Sequence, residues 1–104
     1  MSLEHHEMTR ILEDIDRGLD FFGKGVKEVV YFKLNQSMKM ERSDIVNEPE
    51  KFVSCLEEMF GIGSFRVEKS IMKEIANDFG IDHPVSLASA IKQARSQIYS
   101  GNAV

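Results

Sequence analysis

Tryptophan is absent from this chain, cysteine occurs once and proline only twice in 104 residues. The lone Cys55 excludes an intramolecular disulfide framework and fits a reducing, cytoplasmic setting. No apolar run approaches the roughly 20 residues needed to span a bilayer, and no signal-peptide pattern opens the chain, so no membrane partner is expected. Strand-period alternation is rare. A chain of this length is expected to form a single domain over residues 1–104, since domains commonly hold about 100–150 residues.

Catalytic constellations are equally scarce. His5-His6-Glu7 invites a metal reading, but the second histidine of an HExxH motif would fall where Arg10 stands. Gly61-Ile62-Gly63-Ser64 ahead of a helix could cradle a phosphate, yet Arg66 and Val67 occupy the places where a P-loop needs glycine and lysine. The dinucleotide fingerprint lacks both its strand and its third glycine. Cys55 sits between apolar neighbours, the setting of an inert thiol. No catalytic, cofactor-binding or metal-binding residue is therefore nominated, and a non-enzyme is expected.

What the chain does have is helical periodicity. A first helix is expected over residues 3–22, with Met8, Ile11, Leu12, Ile15, Leu19 and Phe22 in one apolar stripe. Gly18 inside it costs roughly 1 kcal/mol against alanine, and a close helix–helix approach is one reason to keep it. If nothing in the monomer covers this stripe, Met8, Ile11, Ile15 and Leu19 form a dimer surface. Gly23-Lys24-Gly25 makes a turn, and a second helix follows over residues 24–38, where Val26, Val29, Val30 and Leu34 keep helical spacing. Tyr31 and Phe32 widen its apolar arc, which makes a central helix of it. Residues 39–47 connect, pinned by Ile45 and Val46 while Glu41, Arg42 and Asp44 stay solvated.

Asn47 should cap a third helix with Pro49 in its first turn and Glu50 completing a capping box; Gly61 ends that helix. Ser64 should cap a fourth, closed by Gly80 with Ile81 packing back. A fifth begins at Pro84 or Ser86 and ends at Ser100, with Gly101 after it and residues 102–104 frayed. The fold is expected to be all-α, about five helices in an irregular bundle around the helical hairpin of residues 46–81.

Charge is unevenly spread over the net −4. Residues 2–22 and 43–60 each carry a net −4, and residues 23–42 a net +3. Such alternation most simply describes helices whose solvated faces attract one another. It leaves one rival for the hairpin, a helix-turn-helix in which Arg66, Lys69 and Lys73 line a recognition helix. Glu57 where close packing wants a small residue, three acids on the same helix and an acidic chain all argue against nucleic acid.

Glu48-Pro49-Glu50-Lys51-Phe52, running on through Leu56-Glu57-Glu58-Met59-Phe60-Gly61-Ile62-Gly63, resembles the xPExF…LExxFGxG segment of a small archaeal family. Lys27-Glu28-Val29-Val30-Tyr31-Phe32 is similar to its KExVYxxL segment, with Leu34 where that leucine would fall. The resemblance covers residues 11–81; Ser64-Phe65-Arg66 departs from it, standing where a small apolar residue is more usual. The family is described as a Nitrosopumilus-type output domain, found alone or attached to signalling modules, with no assigned chemistry. It implies a helical interaction or output module in signalling. The excess of Met and Phe, six and seven, suits adaptable contact surfaces, so the expected function is a non-enzymatic interaction module that is homo-oligomeric or meets another protein.

Overall fold

The computed structural model describes the backbone of residues 3–100 and the side chains of residues 8–99. The side chains of His5, His6 and Glu7, Gly101 and residues 102–104 lie outside the described residues. The chain folds into α1 (Leu3–Asp20), α2 (Val26–Met38), a 3₁₀ turn (Arg42–Val46), α3 (Pro49–Phe60), a second 3₁₀ turn (Gly61–Gly63), α4 (Ser64–Phe79) and α5 (Leu87–Ser100). No strand occurs among the described residues, and the fold is all-α.

The organising contact is not the α3–α4 hairpin but the seam between α1 and α4, the most extensive helix pair in the molecule. The two run antiparallel: Arg10 meets Asp78, Arg17 meets Glu74, and Gly18 meets Ile71. A Cβ at Gly18 would lie 2.5 Å from the Ile71 Cα, so only glycine allows the backbones this close. Ser70 Oγ donates to the Gly18 carbonyl at 2.9 Å across the same contact. α5 packs beneath α4, α1 and α3 through Leu87, Ala90, Ile91, Ala94 and Ile98, and Gln97 donates to the Phe79 carbonyl at 2.9 Å.

This seam removes the proposed dimer surface. Ile11, Ile15 and Leu19 have no exposed surface in the single chain, and Met8 packs against the same core. The stripe is amphipathic because α4 and α5 cover it, not because a second chain does.

Several local expectations also change. α1 stops at Asp20, where the Phe22 and Gly23 amides turn back to the Leu19 and Asp20 carbonyls, and Gly23 takes φ +126°. Phe22 therefore leaves the stripe. α2 is peripheral rather than central: it buries Val30 and Leu34 and leaves Val29 and Phe32 exposed. Asn47 does not cap α3. It follows the 3₁₀ turn, whose start is held by the Glu41 amide donating to Asp44 Oδ2 at 2.8 Å, and Glu48 precedes α3 instead.

Arg42 is only partly solvated. Its guanidinium donates to Asp16 Oδ2 at 2.7 Å, and the Tyr31 hydroxyl donates to the other Asp16 oxygen at 2.5 Å, tying the connector to α1 and α2. Ser64 is the first residue of α4 and is buried, with Gly63 at the cap position. The close of α4 follows expectation: Gly80 takes φ +65°, and the Ile81 amide donates to the Ala76 carbonyl at 3.0 Å while Ile81 packs back into the core.

Candidate functional site

The antiparallel seam sets the end of α1 beside the start of α4. The α1–α2 turn also meets the last turn of α3, where residues 23–26 and Val29 line a hollow of about 310 Å³ with Met59 and Phe60. One end of the molecule therefore gathers apolar side chains with no core to enter. Phe21 is 79 % exposed, Ile62 93 % and Phe65 58 %; Phe22 and Val29 are exposed beside them, and Phe32 follows one turn along α2. The Phe21 and Phe22 rings stack edge to face at 5.1 Å. Only Val85 and Tyr99 add to the large exposed hydrophobics elsewhere among the described residues.

Local geometry accounts for each of these. Phe21 and Phe22 lie past the last turn of α1, so neither rides the buried stripe. Ile62 stands between two glycines in a three-residue turn and has no backbone path to the interior. Phe65 follows the buried Ser64 and is turned about 100° from it around the helix.

A groove of about 610 Å³ adjoins this end, lined by Arg17, Asp20, Phe21 and Phe22 of α1 and its turn and by Arg66, Lys69, Ser70, Lys73 and Glu74 of α4. Its carboxylates are already engaged, Glu74 with Arg17 at 3.4 Å and Asp20 with Lys27 at 3.8 Å. The structure does bring Arg66, Lys69 and Lys73 together on one outward face, as their spacing predicts. None of the three joins an ion pair among the described residues; Arg66 instead lies over the Phe65 ring at 5.9 Å.

The remaining polar features are structural. The Asp14 side chain is wholly buried, and burial, then the neighbouring Asp78 carboxylate, pushes its pKa up to about 7. Burial also raises Asp78, but hydrogen bonds from Arg10 and Asp14 outweigh it and hold that carboxylate below its ordinary range. Of the two carboxyls Asp14 therefore keeps its proton to the higher pH; its Oδ2 makes no hydrogen bond among the described residues, and Arg17 holds its other oxygen. Burial first, then Asp16, raises the Tyr31 phenol well above its usual range. Cys55 is buried, and burial raises its thiol, the opposite of what a nucleophile needs.

A further groove of about 710 Å³ lies between Glu50 of α3 and α5, lined by Ser86, Ser89, Lys92, Gln93, Ser96 and Gln97 and bridged by the Glu50–Lys92 ion pair. No group of three metal-ligating side chains occurs among the described residues, and no helix there is long and apolar enough to cross a membrane.

Sequence reasoning missed the aromatic end as a site. Its signal was present in Phe21-Phe22 directly before Gly23-Lys24-Gly25 and in Ile62 flanked by glycines, bulky residues set where the chain turns. Compared with family models, curated proteins and solved structures, the chain matches none.

Proposed function

We propose that this chain is a non-enzymatic protein-interaction module, a cytoplasmic signalling-output element of the archaeal kind its sequence resembles, which self-associates through the aromatic end. The observation that carries this reading is the clustering of Phe21, Phe22, Val29, Ile62 and Phe65 at one end of a molecule whose other large side chains are mostly enclosed. Covering a side chain of this size stabilises a contact by about 1.5–3 kcal/mol, so several left in water at one end support reading it as a docking surface.

Sedimentation velocity across micromolar concentrations tests it. The wild-type chain should shift toward a dimer, and Phe21→Ser/Ile62→Ser/Phe65→Ser should remain monomeric with unchanged helix content. A strict monomer removes self-association.

A second reading, duplex DNA binding by α4, is favoured by the three outward cations and by the three-residue turn between α3 and α4. In a helix-turn-helix the first helix crosses the phosphate backbone. Here that helix is α3, and the acids it exposes are Glu50, Glu57 and Glu58, which phosphates repel. Salt-dependent retention on duplex DNA would support the DNA reading, and no shift at low ionic strength would remove it.

A further inference from the structure

The outward side of the α3–turn–α4 hairpin carries its charges in order. Glu57 and Glu58 are exposed on the last turn of α3; Ile62 and Phe65 follow, exposed at the turn and the start of α4; Arg66, Lys69 and Lys73 are exposed beyond them. The surface reads acid, apolar, base.

None of these five charges has an ion-pair partner within the chain among the described residues. Arg17, Lys27, Arg42, Lys51 and Lys92 are all paired internally. Glu57 also lies near enough to Glu68 to repel it. Burial raises the Glu68 carboxyl above its ordinary value; a hydrogen bond with Ser64 opposes this, and the Glu57 charge adds a smaller push upward. With Glu57 and Glu58 exposed and outside every ion pair among the described residues, and Arg66, Lys69 and Lys73 likewise, the hairpin presents uncompensated acids on one side and uncompensated bases on the other.

We propose that the partner of the aromatic end is a second copy of this chain, docked hairpin to hairpin about a two-fold axis near Ile62. In that pairing Glu57 and Glu58 of each copy face Arg66, Lys69 and Lys73 of the other, and Ile62 and Phe65 meet their counterparts. This rests on the interaction-module reading and specifies its geometry. A two-fold axis reverses the order of the surface it acts on, so acid meets base at both flanks while apolar meets apolar at the centre. A polyanion gains at α4 and loses at α3, and a polycation does the reverse. A surface bearing both signs in reversed order gains at both, and this chain's own hairpin is such a surface.

Two variants and their mixture test the pairing. Glu57→Lys/Glu58→Lys makes both flanks basic, and Arg66→Glu/Lys69→Glu/Lys73→Glu makes both acidic. All five side chains are exposed and unpaired, so each variant should keep wild-type helix content by circular dichroism. Each alone should dimerise more weakly than wild type by roughly tenfold or more, because like charges now face each other. An equimolar mixture should form a 1:1 heterodimer by sedimentation, at least as tight as the wild-type dimer, and weaken as salt rises.

Charge-reversed chains that self-associate like wild type, or a mixture that stays monomeric, overturn the pairing. If Ile62→Ser/Phe65→Ser still abolishes the dimer in that case, the aromatic docking reading stands without this geometry. A wild-type chain monomeric at every concentration removes both.

Discussion

The α1–α4 seam and the aromatic end are continuous in space and opposite in character. Along the seam nearly every polar group is engaged: Arg10 clamps Asp78, Arg17 bridges Asp14 and Glu74, and Ser70 reaches the Gly18 carbonyl. The apolar residues between them are fully enclosed. One turn further along, Phe21, Ile62 and Phe65 face water, and Arg66, Lys69 and Lys73 have no counter-charge in the chain among the described residues. A chain able to complete the first region has left the second incomplete. Stability belongs to the seam, and the proposed function assigns recognition to the end.

Breaking the seam should have the largest effect on stability. Gly18→Val puts three carbons where a single Cβ already falls 2.5 Å from the Ile71 backbone. Overpacking of this kind costs about 3 kcal/mol, which chemical denaturation should register as a lower midpoint at unchanged slope.

The Asp14–Asp78 pair should make the seam sensitive to pH. Asp14 is raised from 3.8 to about 7 on folding, so its contribution is complete below pH 3.8 and is lost as pH rises through about 7. Asp78 is lowered, so its contribution has the other sign and is lost as pH falls below its unfolded value. Because the two carboxyls titrate together and their shifts have opposite signs, the Asp14 effect is on the order of 2 kcal/mol between those pH values. Asp14→Asn should flatten this decline while keeping a donor toward Asp78. A variant that declines with pH as steeply as wild type would show that Asp14 is not the titrating group.

Arg42→Ala leaves Asp16 and Tyr31 with a half-buried carboxylate and no cation. A loss of about 2 kcal/mol is expected, since hydrogen bonds to charged groups contribute roughly 1.5–3 kcal/mol. Thermal unfolding of Arg42→Ala against Arg42→Lys separates lost charge from lost bidentate geometry.

The smallest effect on stability should come from the other region. Phe21→Ser at 79 % exposure should change the folding free energy by no more than about 0.5 kcal/mol while weakening self-association. A large loss of stability in the monomer would mean that the end belongs to the core after all.

The same contrast decides what was legible in the sequence. Helices showed wherever a buried stripe kept its period, as in Val67, Ile71, Ile75 and Phe79 of α4, and local closures showed too, as at Gly80 and Ile81. The outward cations of α4 were legible because spacings of three and four fix a shared face. What covers a stripe was not legible. Ile11, Ile15 and Leu19 look the same whether a distant helix or another chain packs on them, and the deciding contact, Gly18 on Ile71, spans more than fifty residues of sequence.

Asn47 failed as a cap because it closes the 3₁₀ turn, its amide donating to the Asp44 carbonyl, and α3 starts only after Glu48, one residue further on. α2 failed as a central helix because composition does not reveal which arc stays dry: Phe32 suits a core and stands in water. The hairpin was legible as two helices and a turn. Its proposed role was not, because that proposal sets its outward charges beside Ile62 and Phe65, whose exposure only the structure shows.

Sedimentation of the wild-type chain across micromolar concentrations, alongside the equimolar mixture of the two charge-reversed chains, tests most directly the claim that recognition sits at this end. A mass rising with concentration from 11.8 kDa toward twice that value, and a heterodimer formed by two chains that each self-associate more weakly than wild type, is the predicted result. A wild-type mass fixed at the monomer value, with a mixture that sediments as its separate components, would contradict it.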